Sequence, residues 1–171
     1  VTTRRLTPEE AAAALANAAP IPAGKGPRRL ARSSIAGWSV DGEPVEIAIS
    51  TSTRTLLVIV SIHCEGCRDL VGLVRDGIDG FEVVGVMRSP AGPLPDPGVS
   101  AFVGRGGTWV LGDDAFDLLD AFAAPFFCVV DAAGVVVEGV ALGAEHVREH
   151  CQCVLEGSPR PDSVRLTIEP T

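Results

Sequence analysis

Residues 56 to 70 read "LLVIVSIHCEGCRDL": an uncharged, β-branched run leads into Cys64 and Cys67, separated by two residues, with His63 just before them. Three chemistries use this spacing. In a redox couple, one thiolate attacks a disulfide and the second cysteine resolves the mixed disulfide. In a metal clamp both thiolates are ligands, and His146 with His150, on one face of a helix, would complete a Cys-x2-Cys, His-x3-His set. A structural staple would close so short a loop that it would restrict the unfolded chain little. The two halves of the metal set lie much further apart in the chain than in a zinc finger. A redox couple is the leading expectation.

The elements around the pair favour the same chemistry. Leu56 to Ile62 is apolar with no alternation, as in a strand buried on both faces. Leu70, Val71, Val74 and Ile78 then recur at helical spacing. The pair is expected where a strand hands over to a helix. There Cys64 faces unpaired backbone N–H groups and the positive end of the helix dipole, which favour its thiolate. Cys67, one turn in, is expected to be more shielded and able to reach back to Cys64. Glu65 places a negative charge beside that thiolate and opposes its formation, whereas His63 assists it when protonated. His63 alone also reads as a plain surface histidine.

Ahead of this segment, "LTPEEAAAALANAA" reads as a helix with Thr7 as N-cap, Pro8 at the first helical position and Glu10 closing a capping box. "PIPAGKGP" breaks it as a linker. "SIAGWSV" and "EPVEIAI" flank Asp41-Gly42 as a hairpin, with Pro44 confining the second strand to an edge or a late start. After the first helix come a second buried strand, "FEVVGVM", and a Pro/Gly-rich loop from Ser89 to Gly107. A short "TWVL" segment and the helix "DDAFDLLDAF" follow. "APFFCVVD" and "VVVEGVAL" form an antiparallel hairpin, and "AEHVREHCQCVL" is the last helix. The expected organisation is an N-terminal helix and basic linker over 1–33, one domain over 34–155 and a partly ordered tail over 156–171.

With 46% hydrophobic and 21% charged residues, the chain has the make-up of one globular domain. The net charge of −8 is uneven: residues 1 to 32 hold six basic and two acidic side chains, so the body is strongly acidic. Such a body repels phosphates, which excludes nucleic acid as a partner. The basic lead, with Arg4, Arg5, Lys25, Arg28, Arg29 and Arg32, reads as an ordinary solvated linker rather than a membrane-surface contact. No apolar run approaches the roughly 18 residues of a spanning helix.

The order β-α-β-α-β-β-α, with Cys-x-x-Cys opening the first core helix and a proline opening the third core strand, resembles the thioredoxin fold over about residues 34 to 155. More narrowly, "SVDGEPVEIAI" before the cysteine strand and "APFFCVVDAAGVVVEGVALGAEHV" at the end are similar to the redoxin branch. That branch includes the membrane-anchored reductases of cytochrome c maturation and MauD-type proteins. The resemblance implies an α/β fold with a central mixed sheet flanked by helices, here extended by an N-terminal helix and a β-hairpin. It implies a thiol-disulfide oxidoreductase without a cofactor, with Cys64 as nucleophile, Cys67 as resolving thiol and protein disulfides as substrates. Pro125 would be cis against the cysteine pair, and the backbone of Ala124 would meet an extended substrate strand. The maturation reductases carry Cys-Glu-Pro-Cys, so Glu65 is shared and Gly66 departs. His63 replaces the usual tryptophan, and Val58 stands where thioredoxin has a buried acid.

Other readings of the same fold fit less well. A copper-delivery protein spaces its cysteines by three. A thiol peroxidase would find its serine in Ser61, but Leu57 stands where its proline belongs. In the thioredoxin fold the last helix starts at the active-site edge, which keeps the metal set with His146 and His150 open. Cys128 reads as a small buried hydrophobe. Cys151 and Cys153, on nearly opposite faces of a helix, read as packing residues. The chain opens at Val1 with a basic stretch, and the family works outside the cytoplasm. An export or anchor segment before Val1, an oxidising compartment and a membrane electron donor are therefore expected, with a cytoplasmic protein as the alternative.

Overall fold

A computed structural model of the protein describes residues 27–49, 52–88, 97–121 and 124–158. The helix and capping box expected around Thr7 to Glu10, the basic residues before 27, the loop core at 89–96 and the tail from 159 lie outside them. In chain order the elements are β1 (Ser34–Trp38), β2 (Pro44–Ala48), β3 (Arg54–Val60), a 3-10 turn (Glu65–Cys67) and α1 (Arg68–Asp76). They continue as β4 (Phe81–Met87), α2 (Pro97–Val103), β5 (Thr108–Leu111), α3 (Asp114–Leu119), β6 (Phe126–Asp131), β7 (Gly134–Val140) and α4 (Ala144–Glu156).

The strands form one mixed sheet in the order β2-β1-β5-β4-β3-β6-β7. β3 lies inside it, parallel to β4 and antiparallel to β6. Its run lacks alternation because both faces are covered. Leu56, Val58 and Val60 join a core with α1, α2 and α4, while Leu57 and Ile59 join a second core with α3 and β1. The end of β3, where the cysteines follow, is thereby held from both sides.

Three expectations change in detail. "TWVL" is a full strand, β5, lying parallel to β4 with Gly85 opposite Trp109. A side chain at Gly85 would run into the Trp109 ring, so that glycine is the space the indole fills. The supposed loop before it contains α2, where Pro97 takes the first helical position and Val99 and Val103 are buried four residues apart. α3 is shorter than its sequence pattern, ending at Asp120 in the left-handed region at φ 54°. The first hairpin forms as expected with β2 at the sheet edge and Pro44 its first residue. Its connection spans residues 39 to 43, however, and only Gly42 takes positive φ, because Ser39 closes the loop by accepting from Gly42 and donating to Glu43.

Arg28 and Arg32, read as solvated linker charges, are tied into the domain. Arg28 exchanges backbone hydrogen bonds with Val135 of β7, and its guanidinium pairs with Glu138 at 3.0 Å and donates to the Leu119 carbonyl at 2.8 Å. Arg32 grips Asp114, and its guanidinium together with the Ala36 N–H holds that carboxyl below the usual carboxylate range. The backbone around Arg28 covers part of the outer edge of β7, which an unpaired strand would leave open to association.

Candidate active site

β3 delivers the chain at Ser61, whose carbonyl accepts the Cys64 N–H at 3.1 Å and whose hydroxyl accepts the His63 N–H at 3.3 Å. This turn fixes Cys64 in extended conformation as the N-cap residue of the 3-10 turn. The Cys64 carbonyl accepts the Cys67 N–H at 3.1 Å, and α1 begins only at Arg68. The helix therefore starts one turn later than its sequence pattern suggests, with both cysteines in the tight turn that leads into it. They are joined as a disulfide with Cα atoms 5.3 Å apart.

Exposure separates the two sulfurs. Cys67 is fully buried among Leu70, Val71 and their neighbours, whereas Cys64 is half-buried at the rim of the same core. His63, Glu65 and Gly66 are exposed around them. A side chain at Gly66 would meet nothing within 4 Å, so packing does not require glycine there. Val58, in place of a buried acid, is wholly within the core.

The Ala124–Pro125 peptide bond is cis. Ala124 packs on the core that Cys64 borders, and the Pro125 carbonyl accepts the Ala141 N–H at 3.1 Å. Two residues not singled out in the sequence join this region. Asp69, on the first turn of α1, accepts the Ala144 N–H at 2.7 Å and so caps α4 from a neighbouring helix. Leu142, between Pro125's partner and α4, is an exposed large hydrophobic, 64% accessible. An acid two residues after the second cysteine was the available signal for Asp69; Leu142 carried none.

The metal set is not assembled. Among the described residues no three His, Cys, Asp or Glu side chains are grouped to hold an ion. His146 and His150 do share a helix face, with their Nε2 atoms 3.2 Å apart. But Nδ1 of His146 accepts the Leu142 N–H at 3.3 Å, which leaves the ring proton on Nε2. A metal-binding histidine must present a bare ring nitrogen to the ion, and here Nδ1 is taken by the Leu142 N–H while Nε2 carries the proton. The two rings pack against each other and against the ring of Phe127.

Cys128 and Cys151 are buried free thiols, and Cys153 is partly exposed. Burial pushes the Cys151 thiol up to about 12, and burial, with Glu138 opposite, raises Cys128 further. Brief iodoacetamide treatment of the reduced, native protein near pH 8 is therefore expected to label Cys64 and Cys153 and to spare Cys128 and Cys151, as read by peptide mass spectrometry. Labelling of Cys128 or Cys151 at the rate of Cys153 would contradict the packing.

No family model and no curated protein matches the chain. Solved structures do. A chain from Chlorobium tepidum assigned as the thiol:disulfide interchange protein DsbE aligns at 17% identity and TM-score 0.60, over 78% of this chain and 97% of that one. The thioredoxin domain of a thiol-disulfide oxidoreductase from Bacteroides vulgatus aligns at 19% identity and TM-score 0.51, over 74% and 94%. A secreted Mycobacterium tuberculosis disulfide oxidoreductase, homologous to DsbE of E. coli, aligns at 15% identity and TM-score 0.52, over 66% and 90%. The shared feature is the fold, a mixed sheet flanked by helices: the thioredoxin fold.

Proposed function

We propose that this thioredoxin-fold protein is a thiol-disulfide oxidoreductase that reduces protein disulfides through Cys64 and Cys67. The observation that carries the reading is the bonded pair itself: Cys64 at the surface, Cys67 buried behind it, at the head of α1. In the reduced protein the Cys64 thiolate attacks one sulfur of a substrate disulfide. The substrate S–S bond breaks, a mixed disulfide forms and the first substrate sulfur leaves as a thiolate that takes up a proton. Cys67 then loses its proton and attacks the Cys64 sulfur, closing the internal disulfide and releasing the second substrate thiol. Two electrons pass from protein to substrate. The helical turn N-terminal to α1 favours the Cys64 thiolate, the Glu65 carboxylate beside it opposes it, and His63 assists it when protonated. Pro125 and Ala124 border the groove in which an extended substrate segment lies.

We place the site outside the cytoplasm, with a membrane protein as the source of electrons. The secreted Mycobacterium tuberculosis neighbour and the redoxin-like closing pattern at Glu145-His146 support this placement. Burial of Cys128 and Cys151 supports it too, because hidden thiols are protected in an oxidising space. No helix among the described residues is long and apolar enough to cross a membrane.

The test is a trap. Cys67→Ser protein incubated with oxidised insulin is expected to accumulate a mixed disulfide at Cys64, seen as a mass adduct that dithiothreitol removes. Wild-type reductase activity in that variant with no adduct would overturn the mechanism.

A further inference from the structure

After β7 ends at Val140, residues 141 to 143 run beside Pro125 to the start of α4. Three elements fasten this stretch through backbone N–H groups. The Ala141 N–H donates to the Pro125 carbonyl, the Ala144 N–H to the Asp69 carboxylate of α1, and the Leu142 N–H to Nδ1 of His146. The third fastening differs from the others, because an imidazole nitrogen accepts only while it carries no proton.

The neighbouring histidine makes that condition stricter. With Nδ1 accepting, His146 holds its proton on Nε2 and donates to Nε2 of His150 across 3.2 Å. A proton added to Nδ1 of His146 turns the acceptor into a donor facing the Leu142 N–H. A proton added to Nε2 of His150 instead sets two N–H groups against each other. His146 then relieves the clash by moving its proton to Nδ1, which again ejects the Leu142 N–H. Either site of protonation therefore breaks the same bond. α4 itself carries Glu145, Arg148 and Glu149, α1, which packs against it, carries Asp69 and Asp76, and β6 lays Phe127 against both rings.

We propose that His146 is a positioning residue that holds the 141–143 loop beside Pro125 for the incoming disulfide substrate. A proton on the His146–His150 pair releases the loop, so that substrate capture weakens on acidification. The inference rests on the reading of Cys64 and Pro125 as the substrate site. Leu142, exposed at the tip of the loop, is the side chain whose placement the bond controls.

Two variants separate positioning from mere packing. His146→Asn sets an amide oxygen near the place of Nδ1 and accepts without titrating, whereas His146→Ala removes the acceptor. Between pH 7.5 and pH 5 the wild-type KM for oxidised insulin is expected to rise about fivefold, the worth of one net hydrogen bond. The change falls on KM rather than kcat. His146→Ala shows the raised KM at both pH values and His146→Asn the low one. All three proteins share Cys64, so its titration cancels when they are compared at one pH. In parallel, amide-exchange protection of Leu142, corrected for intrinsic exchange, is expected to fall about fivefold on acidification in wild type and to hold steady in His146→Asn. Constant Leu142 protection alongside normal Cys64-dependent turnover would overturn this inference alone, as would a wild-type pH profile in His146→Ala. Absence of any turnover while Leu142 protection still falls would overturn the oxidoreductase reading, and the substrate role of the loop with it.

Discussion

Replacing Cys64 with serine is expected to lower insulin reduction at least about a thousandfold, because an alcohol has no thiolate form with which to displace at sulfur. The loss should not be a loss of fold. Cys64 is half-buried at the rim of the helix-side core and contributes far less to packing than the fully buried Cys67. Far-UV circular dichroism and thermal melting of Cys64→Ser should therefore stay close to those of the reduced wild type. Cys153→Ser serves as the control: it removes the other accessible free thiol and is expected to leave the rate unchanged. Reduction by Cys64→Ser at the wild-type rate would mean that another thiol carries the chemistry.

The second large effect concerns a buried charge on β7. Glu138 of β7 is almost wholly buried, its side chain 3% accessible, and its charge is met by Arg28, whose side chain keeps 24% of its exposure. Arg28→Met leaves that carboxylate buried without its partner and is expected to cost about 3 kcal/mol of stability. Glu138→Leu should cost less, because the stranded guanidinium is partly solvated and keeps its bond to the Leu119 carbonyl. The double variant, with two apolar side chains in place of the pair, should recover most of the Arg28→Met loss. Urea unfolding of the four proteins reads this cycle. An Arg28→Met protein within about 0.5 kcal/mol of wild type would show that the pair is not holding residues 28 to 33 onto β7.

Much of this architecture was legible because it depends on local pattern. The unbroken apolar run of β3, the turn at Gly42, the edge or late start that Pro44 imposes and the helical spacing behind Cys67 are each set by a few neighbouring residues. The cysteine pair was legible for the same reason, and its place at the end of β3 follows from the strand and helix around it. What escaped depends on partners distant in the chain. Nothing in "PRRL" distinguishes Arg28 from Arg29, yet one meets Glu138 across 110 positions and the other does not share that bond. The strand β5 is four residues long and becomes recognisable only beside β4, where Gly85 makes room for Trp109. α2 was hidden by the Pro/Gly content around it, although Pro97 is well placed to start a helix. The His146–His150 spacing was visible, but the tautomer that decides its chemistry depends on the backbone of Leu142, which no sequence pattern reveals.

The central claim is that Cys64 and Cys67 form a reversible couple. Equilibrating the protein in dithiothreitol buffers of graded potential, quenching with an alkylating agent and assigning the modified peptides by mass tests it most directly. Cys64 and Cys67 are expected to gain and lose their label together in a single two-electron transition, while Cys128 and Cys151 stay reduced throughout. A pair that remains in one state across the whole range, or a transition in which Cys64 exchanges with any cysteine other than Cys67, would contradict it.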